Sequence, residues 1–161
     1  MRRLWKRAIL QLIGVLTLWA VVEAAVSITV TGSWSLVLGS GNLQGGAGSN
    51  LVSTYTSNAN QALLTVSGAT TGQAWTVSVL RIDSTWDGSL VLSLRRTGGG
   101  SGTGTVSGGT TYLTVLTTSQ TFITGTGNLS NIPLQERLAG VSVSLGAGTF
   151  TTTIRYTITT P

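Results

Sequence analysis

Cysteine and histidine are absent from the 161-residue chain, and charged residues make up only 8% of it. Without them the chain has no Ser-His or Cys-His pair that could activate a nucleophile, and none of the ligands that usually build zinc and transition-metal sites. The absence of cysteine also excludes disulfides and the attachment of a lipid to an N-terminal cysteine. We therefore predict a protein that is not an enzyme and that binds neither a metal nor a cofactor.

Lysine is scarce as well, because the single lysine is Lys6. Four of the nine basic residues lie in Met1–Arg7, so the net charge of +5 belongs mostly to the start of the chain. The later basic residues form no stripe with interleaved aromatic residues, and Arg95-Arg96 alone does not make a nucleic-acid surface. A Walker-type phosphate loop is also excluded, because the glycine-rich stretch Thr97 to Thr111 contains no lysine. We therefore expect no nucleic-acid partner.

The first 24 residues have the organisation of a secretory signal peptide. A basic start precedes an apolar run from Ala8 to Val22, and Val22-Glu23-Ala24 places small residues where a signal peptidase cuts. The run is shorter than the roughly 20 residues that a membrane-spanning helix needs. We therefore predict a signal peptide over 1–24, a secreted or cell-surface protein, and contact with a membrane only through this segment.

Two alternative interpretations of this segment stay open. A permanent membrane anchor would result if the apolar residues of Ala25 to Val30 lengthened the run. A type IV pilin would instead be cut between Arg7 and Ala8, ahead of the apolar helix, and would keep that helix in a filament core. Interruptions of the run at Gln11 and Gly14 argue against this second alternative.

Residues 25–161 alternate apolar side chains with serine and threonine, which is the period of a β-strand. β-branched threonine favours strands over helices, and glycine-containing turns separate the segments. Candidate strands contain Val26, Ile28 and Val30; Trp34, Leu36 and Leu38; Leu51 to Thr56; Leu64 and Val66; Trp75, Val77 and Val79; Leu90, Leu92 and Leu94; Tyr112 to Leu116; Thr121 to Ile123; Val141, Val143 and Leu145; and Thr149 to Thr159. No spacing is typical of βαβ units, so we predict an all-β protein: a single antiparallel β-sandwich over 25–161, Ig-like or pilin-like.

Three connections interrupt these strands. Ser84 to Gly88 ends in the strong turn dipeptide Asp87-Gly88. The glycine-rich stretch Thr97 to Thr111 is predicted to be a long flexible loop or a loose hairpin. Asn128 to Leu138, which contains Pro133 and the adjacent pair Glu136-Arg137, is predicted to be the third connection.

Trp86 is the aromatic residue most open to a binding role. It lies beside the turn between two strands, where a ring has fewer ways to be buried than in an alternating strand. Two roles are considered for it: contact with a glycan or a protein partner, and a lid on the core. Trp34, Trp75 and Tyr156 are in phase with aliphatic neighbours, so we expect them to pack in the core.

Asp83 and Asp87 lie four residues apart at the same turn. Carboxylate oxygens are calcium ligands, but two carboxylates with no third acid nearby make a poor site. We therefore expect Asp83 to pair with Arg81 and Asp87 to cap the turn.

Ile132-Pro133-Leu134, together with the ending Gly148-Thr149-Phe150 and the later Ile154, Tyr156 and Ile158, resembles secreted pilin-type β-sandwiches. The similarity is to the spore coat protein U and fimbrial subunit type, and it covers the chain after the signal peptide in outline. The resemblance implies a non-catalytic subunit of a cell-surface fibre, pilus or coat that assembles by strand exchange.

Assembly also has a physical basis that does not depend on the resemblance. An exposed apolar sheet edge is a template for another strand, and exported subunits can donate a terminal segment to it. The segment from Ala25 to Thr31 suits donation because cleavage would free it and because Gly32 follows as a hinge. Its assembly residues would be Val26, Ile28 and Val30, and the product would be a homo-oligomer or polymer. The alternative is a monomeric secreted module that binds a carbohydrate or a cell-surface protein.

Overall fold

The computed structural model describes residues 25–161, which form two antiparallel β-sheets. The strands are β1 Ser27–Thr31, β2 Thr54–Thr56, β3 Ala62–Ser67, β4 Ala74–Asp83, β5 Val91–Arg96, β6 Ser101–Gly102, β7 Thr105–Gly108, β8 Leu113–Thr114, β9 Gln120–Thr126, β10 Leu129–Ala139 and β11 Thr152–Thr159. Within 25–161, the helical segments are two short 3₁₀ turns, Ser40–Asn42 and Val143–Leu145, and no helix is both long and apolar enough to span a membrane. The all-β prediction is confirmed, whereas the predicted signal peptide lies outside the described residues.

β10 is the central strand of the larger sheet. β3 and β5 both pair with Leu134, so they lie on opposite sides of β10. β2 and β5 both pair with the Arg137–Ala139 end of β10, and β3 and β6 both pair with Leu129. β2 therefore continues the line of β3, and β6 continues the line of β5. The seven strands thus form five rows: β1, β3 with β2, β10, β5 with β6, and β8.

The smaller sheet has the strand order β11, β4, β9 and β7. β4 is its longest strand, and its inward residues Trp75, Val77 and Val79 are buried. The register of β9 against β4 shifts opposite Val77, and both Phe122 and Ile123 are buried at this bulge. The sheet therefore presents one continuous apolar face to the interior.

The core lies between the two sheets, as in a β-sandwich. Buried side chains of both sheets belong to one cluster, with Leu64, Leu94 and Ile132 from the larger sheet and Val77 and Ile123 from the smaller sheet among them. The indole N–H of Trp75 donates a hydrogen bond of 2.8 Å to the carbonyl of Gly127, which satisfies its one polar group in this core. The two sheets therefore share one apolar core.

Two predicted strands are wrong. Residues 32–39 contain no strand, and Val37 is 90% exposed, because the alternating residues around Trp34 find no neighbouring strand to pair with. Val143–Leu145 is a 3₁₀ turn, not a strand, because Gly140 and Gly146 have positive φ on either side of it and interrupt the extended backbone.

The predicted connection Asn128 to Leu138 is also wrong, because this segment is β10 at the centre of the larger sheet. Proline is tolerated here because the register shifts between Leu129 and Ile132, just before Pro133. Asn131 adopts φ +55° at this bulge. An irregular backbone therefore admits a residue type that usually argues against a central strand.

The glycine-rich stretch from Thr97 to Thr111 is neither a flexible loop nor a hairpin. It contains β6, which pairs with β10 in the larger sheet, and β7, which pairs with β9 in the smaller sheet. A side chain at Gly104, between them, would collide with the backbone carbonyls of Thr126 and Asn128. Glycine here therefore allows the chain to cross closely from one sheet to the other.

Candidate assembly strand and surface residues

β1 is an edge strand that pairs, among the described strands, with β3 alone. It runs antiparallel to β3, with Ile28 opposite Val66 and Val30 opposite Leu64. Val26, Ile28 and Val30 are half-buried and pack against the core cluster. The three predicted assembly residues thus share one face, and in this structure the core of their own chain covers that face.

The chain leaves β1 through a defined bend. Gly32 has φ +106°, and a side chain there would collide with the backbone of Gln61 and Ala62. The amide group of Gln61 also donates a hydrogen bond of 2.6 Å to the carbonyl of Ser33. Gly32 is therefore held tightly against β3, and the irregular residues 33–39 follow it.

β11 is one of the two edge strands of the smaller sheet and approaches β1. Its inward residues Ile154 and Tyr156 pack against the core, while Arg155 and the threonines beside it point outward. Two edge strands therefore lie on one side of the molecule. The backbone groups along the outer edge of each strand pair with no other described strand.

Trp86 is half-buried at the turn between β4 and β5. Its indole N–H donates a hydrogen bond of 3.1 Å to the carbonyl of Leu90. The guanidinium carbon of Arg81 lies 5.5 Å from the centroid of the ring, in a cation-π arrangement. These contacts occupy the polar edge and one face of Trp86, and a role in ligand binding stays a prediction.

The two aspartates of this turn lie where the sequence analysis expects them. Asp83 is 3.4 Å from the guanidinium of Arg81, and its Oδ1 also accepts the hydroxyl of Thr152 at 2.8 Å. Asp87 accepts hydrogen bonds from the backbone N–H and the hydroxyl of Ser89, at 2.8 and 2.6 Å, and these bonds lower its pKa. The expected ion pair and the expected turn cap are both confirmed. The described residues contain no group of three potential metal ligands.

Glu136 is a buried carboxyl group to which the sequence analysis assigns no role, beyond marking, with Arg137, the predicted connection. It lies on the inward face of β10, is 7% exposed, and accepts a hydrogen bond of 3.0 Å from the hydroxyl of Ser57. Burial raises the pKa of Glu136 against the opposing effect of this hydrogen bond. Burial, followed by the charge of Glu136, also raises the pKa of Tyr156. The sequence does contain a signal for this burial: Glu136 has the same period-two spacing as Leu134 and Leu138, so all three side chains fall on one face of the strand.

The outward face of the larger sheet carries a cluster of polar side chains, in which two arginines lie over one aromatic ring. The guanidinium carbons of Arg95 and Arg137 are 4.7 and 4.2 Å from the ring centroid of Tyr112. The hydroxyl of Tyr112 and the Nε of Arg95 both donate to the side-chain oxygen of Gln135, at 3.0 and 2.9 Å. The ring of Tyr112 therefore stabilises both guanidinium groups. Among the described residues, the ion pair is formed elsewhere, between Arg81 and Asp83.

Most of the residues that resemble pilin-type subunits lie in two strands, and Gly148-Thr149-Phe150 precedes the second of them without forming a strand. Ile132-Pro133-Leu134 belongs to β10, and Ile154, Tyr156 and Ile158 form the inward face of β11. Comparisons with protein-family models, with curated proteins and with solved structures gave no match. The resemblance therefore depends on these residues alone, and it stays a prediction.

Proposed function

We propose that the chain is an exported, non-catalytic structural subunit of a cell-surface fibre, pilus or coat, and that it assembles by exchange of β1 between copies. The observation that carries this proposal is the position of β1. It is an edge strand with β3 as its one strand neighbour, and its half-buried residues cover the fully buried Leu64 and Val66. The groove that a donated strand needs is therefore the one that β1 itself occupies.

Exchange would replace each contact of β1 by the same contact with a neighbouring copy. Such a swap is a low-cost route to oligomers, because the folded interactions are conserved and only the connecting segment changes. Residues 32–39 form no strand, and when extended they span at most roughly 29 Å. This length allows β1 to reach an adjacent molecule while the rest of the sandwich stays closed.

A monomeric binding module is the second candidate function. The observation that favours it is the pairing of β1 with β3 within one chain. In that case the sandwich is complete by itself, and its role would be to bind a carbohydrate or a cell-surface protein. The further alternative, a type IV pilin-like subunit that retains its N-terminal helix, depends on residues outside the described region.

A designed disulfide separates exchange from self-pairing. Ser27 and Ser67 face each other across β1 and β3 with their hydroxyl oxygens 2.9 Å apart, and the chain has no other cysteine to interfere. Cysteines placed at both positions would therefore meet the distance that a disulfide requires. We expect the full-length double variant, oxidised after assembly, to run on a non-reducing gel as a ladder of covalent multimers.

The single variant Ser27→Cys is the matched control, since it lacks the partner thiol and should give no ladder beyond a dimer. If electron microscopy shows polymers but every disulfide closes within a chain, the polymers form without exchange of β1 and the proposed mechanism is wrong. Monodisperse monomers at all concentrations would remove assembly altogether and favour the binding module.

A further inference from the structure

The outward face of the smaller sheet is covered by hydroxyl side chains. The strand register places four of them side by side, one on each strand: Thr159, Thr76, Thr124 and Ser107. Since neighbouring strands are about 4.8 Å apart, this row is roughly 14 Å long. The adjacent row contains Thr126 and Thr105. A two-dimensional array of hydroxyl groups results.

A hollow of about 450 Å³ lies over this row. Its floor is formed by β4 and β9, and Thr160 and Pro161, which follow β11, contribute to its wall. None of the side chains that line it carries a charge. The hollow has the volume of a small-molecule or oligosaccharide subsite, which is typically about 300–1,000 Å³.

Most of the hydroxyl groups in the hollow are free to bind. Thr105 and Thr126 are hydrogen-bonded to each other at 2.9 Å. Within the described part of the chain, the hydroxyls of Thr76, Thr124 and Ser107 make no hydrogen bond to another protein group. Each free hydroxyl offers one donor and two acceptor positions, and the threonine methyl beside it offers an apolar contact.

We propose that this hollow binds an uncharged oligosaccharide. A neutral sugar chain presents hydroxyl groups that both donate and accept, together with C–H faces, and this pattern matches the threonine and serine surface. An anionic ligand would find no cation in the lining, and an apolar ligand would leave the free hydroxyls without partners. The open, elongated row suits a chain of sugar rings better than a compact ligand.

A second copy of the protein is a less suitable occupant of the same surface. Two hollows placed face to face would enclose a void, and close packing is what stabilises protein interfaces. Burial of this many hydroxyl groups would also require a partner for each of them. The proposed site is separate from β1, which belongs to the larger sheet, and from Trp86, which does not line the hollow. Sugar binding is therefore independent of strand exchange.

Calorimetric titration of the full-length protein with cellohexaose, mannohexaose and maltohexaose tests the proposal, with an oligogalacturonate as the charged counterpart. We expect at least one neutral hexasaccharide to bind and the oligogalacturonate to bind more weakly. Thr76→Val and Thr124→Val keep the shape and the β-branch but remove a hydroxyl. Each should weaken binding by about threefold to tenfold, the range of one neutral hydrogen bond.

Thr153→Val is the matched control, because Thr153 is an outward threonine of β11 that lies outside the hollow. It should leave the affinity unchanged, and thermal unfolding should show that all three variants remain folded. The proposal is overturned if no neutral hexasaccharide binds, or if Thr153→Val weakens binding as much as Thr124→Val. It is equally overturned if Trp86→Ala abolishes binding that the two hollow variants leave intact, because the sugar would then bind at the turn. A loss of self-association in Thr124→Val without any sugar binding would instead identify the hollow as a contact between copies.

Discussion

Glu136 shows how one buried side chain makes the stability of this protein depend on pH. Its carboxyl group lies between the sheets, where burial disfavours the charged form and raises its pKa above the ordinary value of 4.5. The folded protein therefore holds this proton more tightly than the unfolded chain does. The resulting stabilisation is complete below the unfolded pKa and is lost as the pH rises through the raised folded pKa.

Glu136→Gln should abolish this loss, because the amide does not titrate. We expect the urea midpoint of the wild-type protein to fall as the pH rises above the ordinary carboxyl pKa of 4.5, and that of the variant to stay nearly constant. Asp87→Asn is the control: the pKa of Asp87 is lowered by Ser89, so its effect has the opposite sign and the wild-type decrease should persist. An unchanged decrease in Glu136→Gln would assign the pH dependence to another group.

Gly125 makes room for the largest buried side chain of the core. An added Cβ would collide with the ring of Trp75 and with the carbonyl of Thr105. Gly125→Ala should therefore lower the free energy of unfolding by about 1–3 kcal/mol, as overpacking usually does. In Gly41→Ala the new Cβ has nothing within 4 Å, and the change should stay below about 0.5 kcal/mol. Equal urea midpoints for the two variants would contradict the packing argument.

At the scale of elements, β1 is one of the two edge strands of the larger sheet, and among the described strands it pairs with β3 alone. Deletion of residues 25–31 would uncover Leu64 and Val66 on β3. Each β-branched side chain of β1 would contribute about 1.5–3 kcal/mol if it were fully buried, so loss of these half-buried contacts destabilises the domain but leaves the remaining core in place.

The truncated chain should fail to form polymers and should bind a synthetic peptide of residues 25–31, since the groove on β3 remains. Fluorescence anisotropy of the labelled peptide measures this binding. The same peptide with Ile28→Asp is the control, because a carboxylate in an apolar groove costs several kcal/mol and should prevent binding. Polymers that persist without residues 25–31 would exclude β1 as the assembly strand.

β10 shows why some elements were not predictable from their own residues. Pro133 and the adjacent Glu136-Arg137 pair are typical of a connection, and local propensity supports that interpretation. The segment becomes a central strand because β3 and β2 on one side, and β5 and β6 on the other, satisfy its backbone. These partners are distant in sequence, so a local pattern does not contain the information. The same reason applies to Trp34, which alternates like a strand residue but has no strand to pair with.

At the scale of the whole molecule, the proposal of export is a prediction about where the chain is cut. Edman sequencing of protein recovered outside cells should begin near Ala25, after the Val22-Glu23-Ala24 site. A start at Ala8 would favour the type IV pilin alternative, in which the apolar helix is retained. Intact chains that begin at Met1 and remain in the membrane fraction would contradict both forms of processing and favour the anchor.

The amino-acid sequence by itself determined the all-β class and the inward faces of β3, β4, β5 and β11, because alternation of apolar and hydroxyl residues is a local property of the chain. It also predicted the Arg81–Asp83 pair and the Asp87 turn, which involve neighbours only a few residues apart. The tertiary structure alone decided the place of β10, the crossing of the glycine-rich stretch between sheets, the burial of Glu136 and the row of hydroxyls from Thr159 to Ser107. Each of these depends on the register between strands that are far apart in the chain, and pairing across such distances is set by the packing of the whole core.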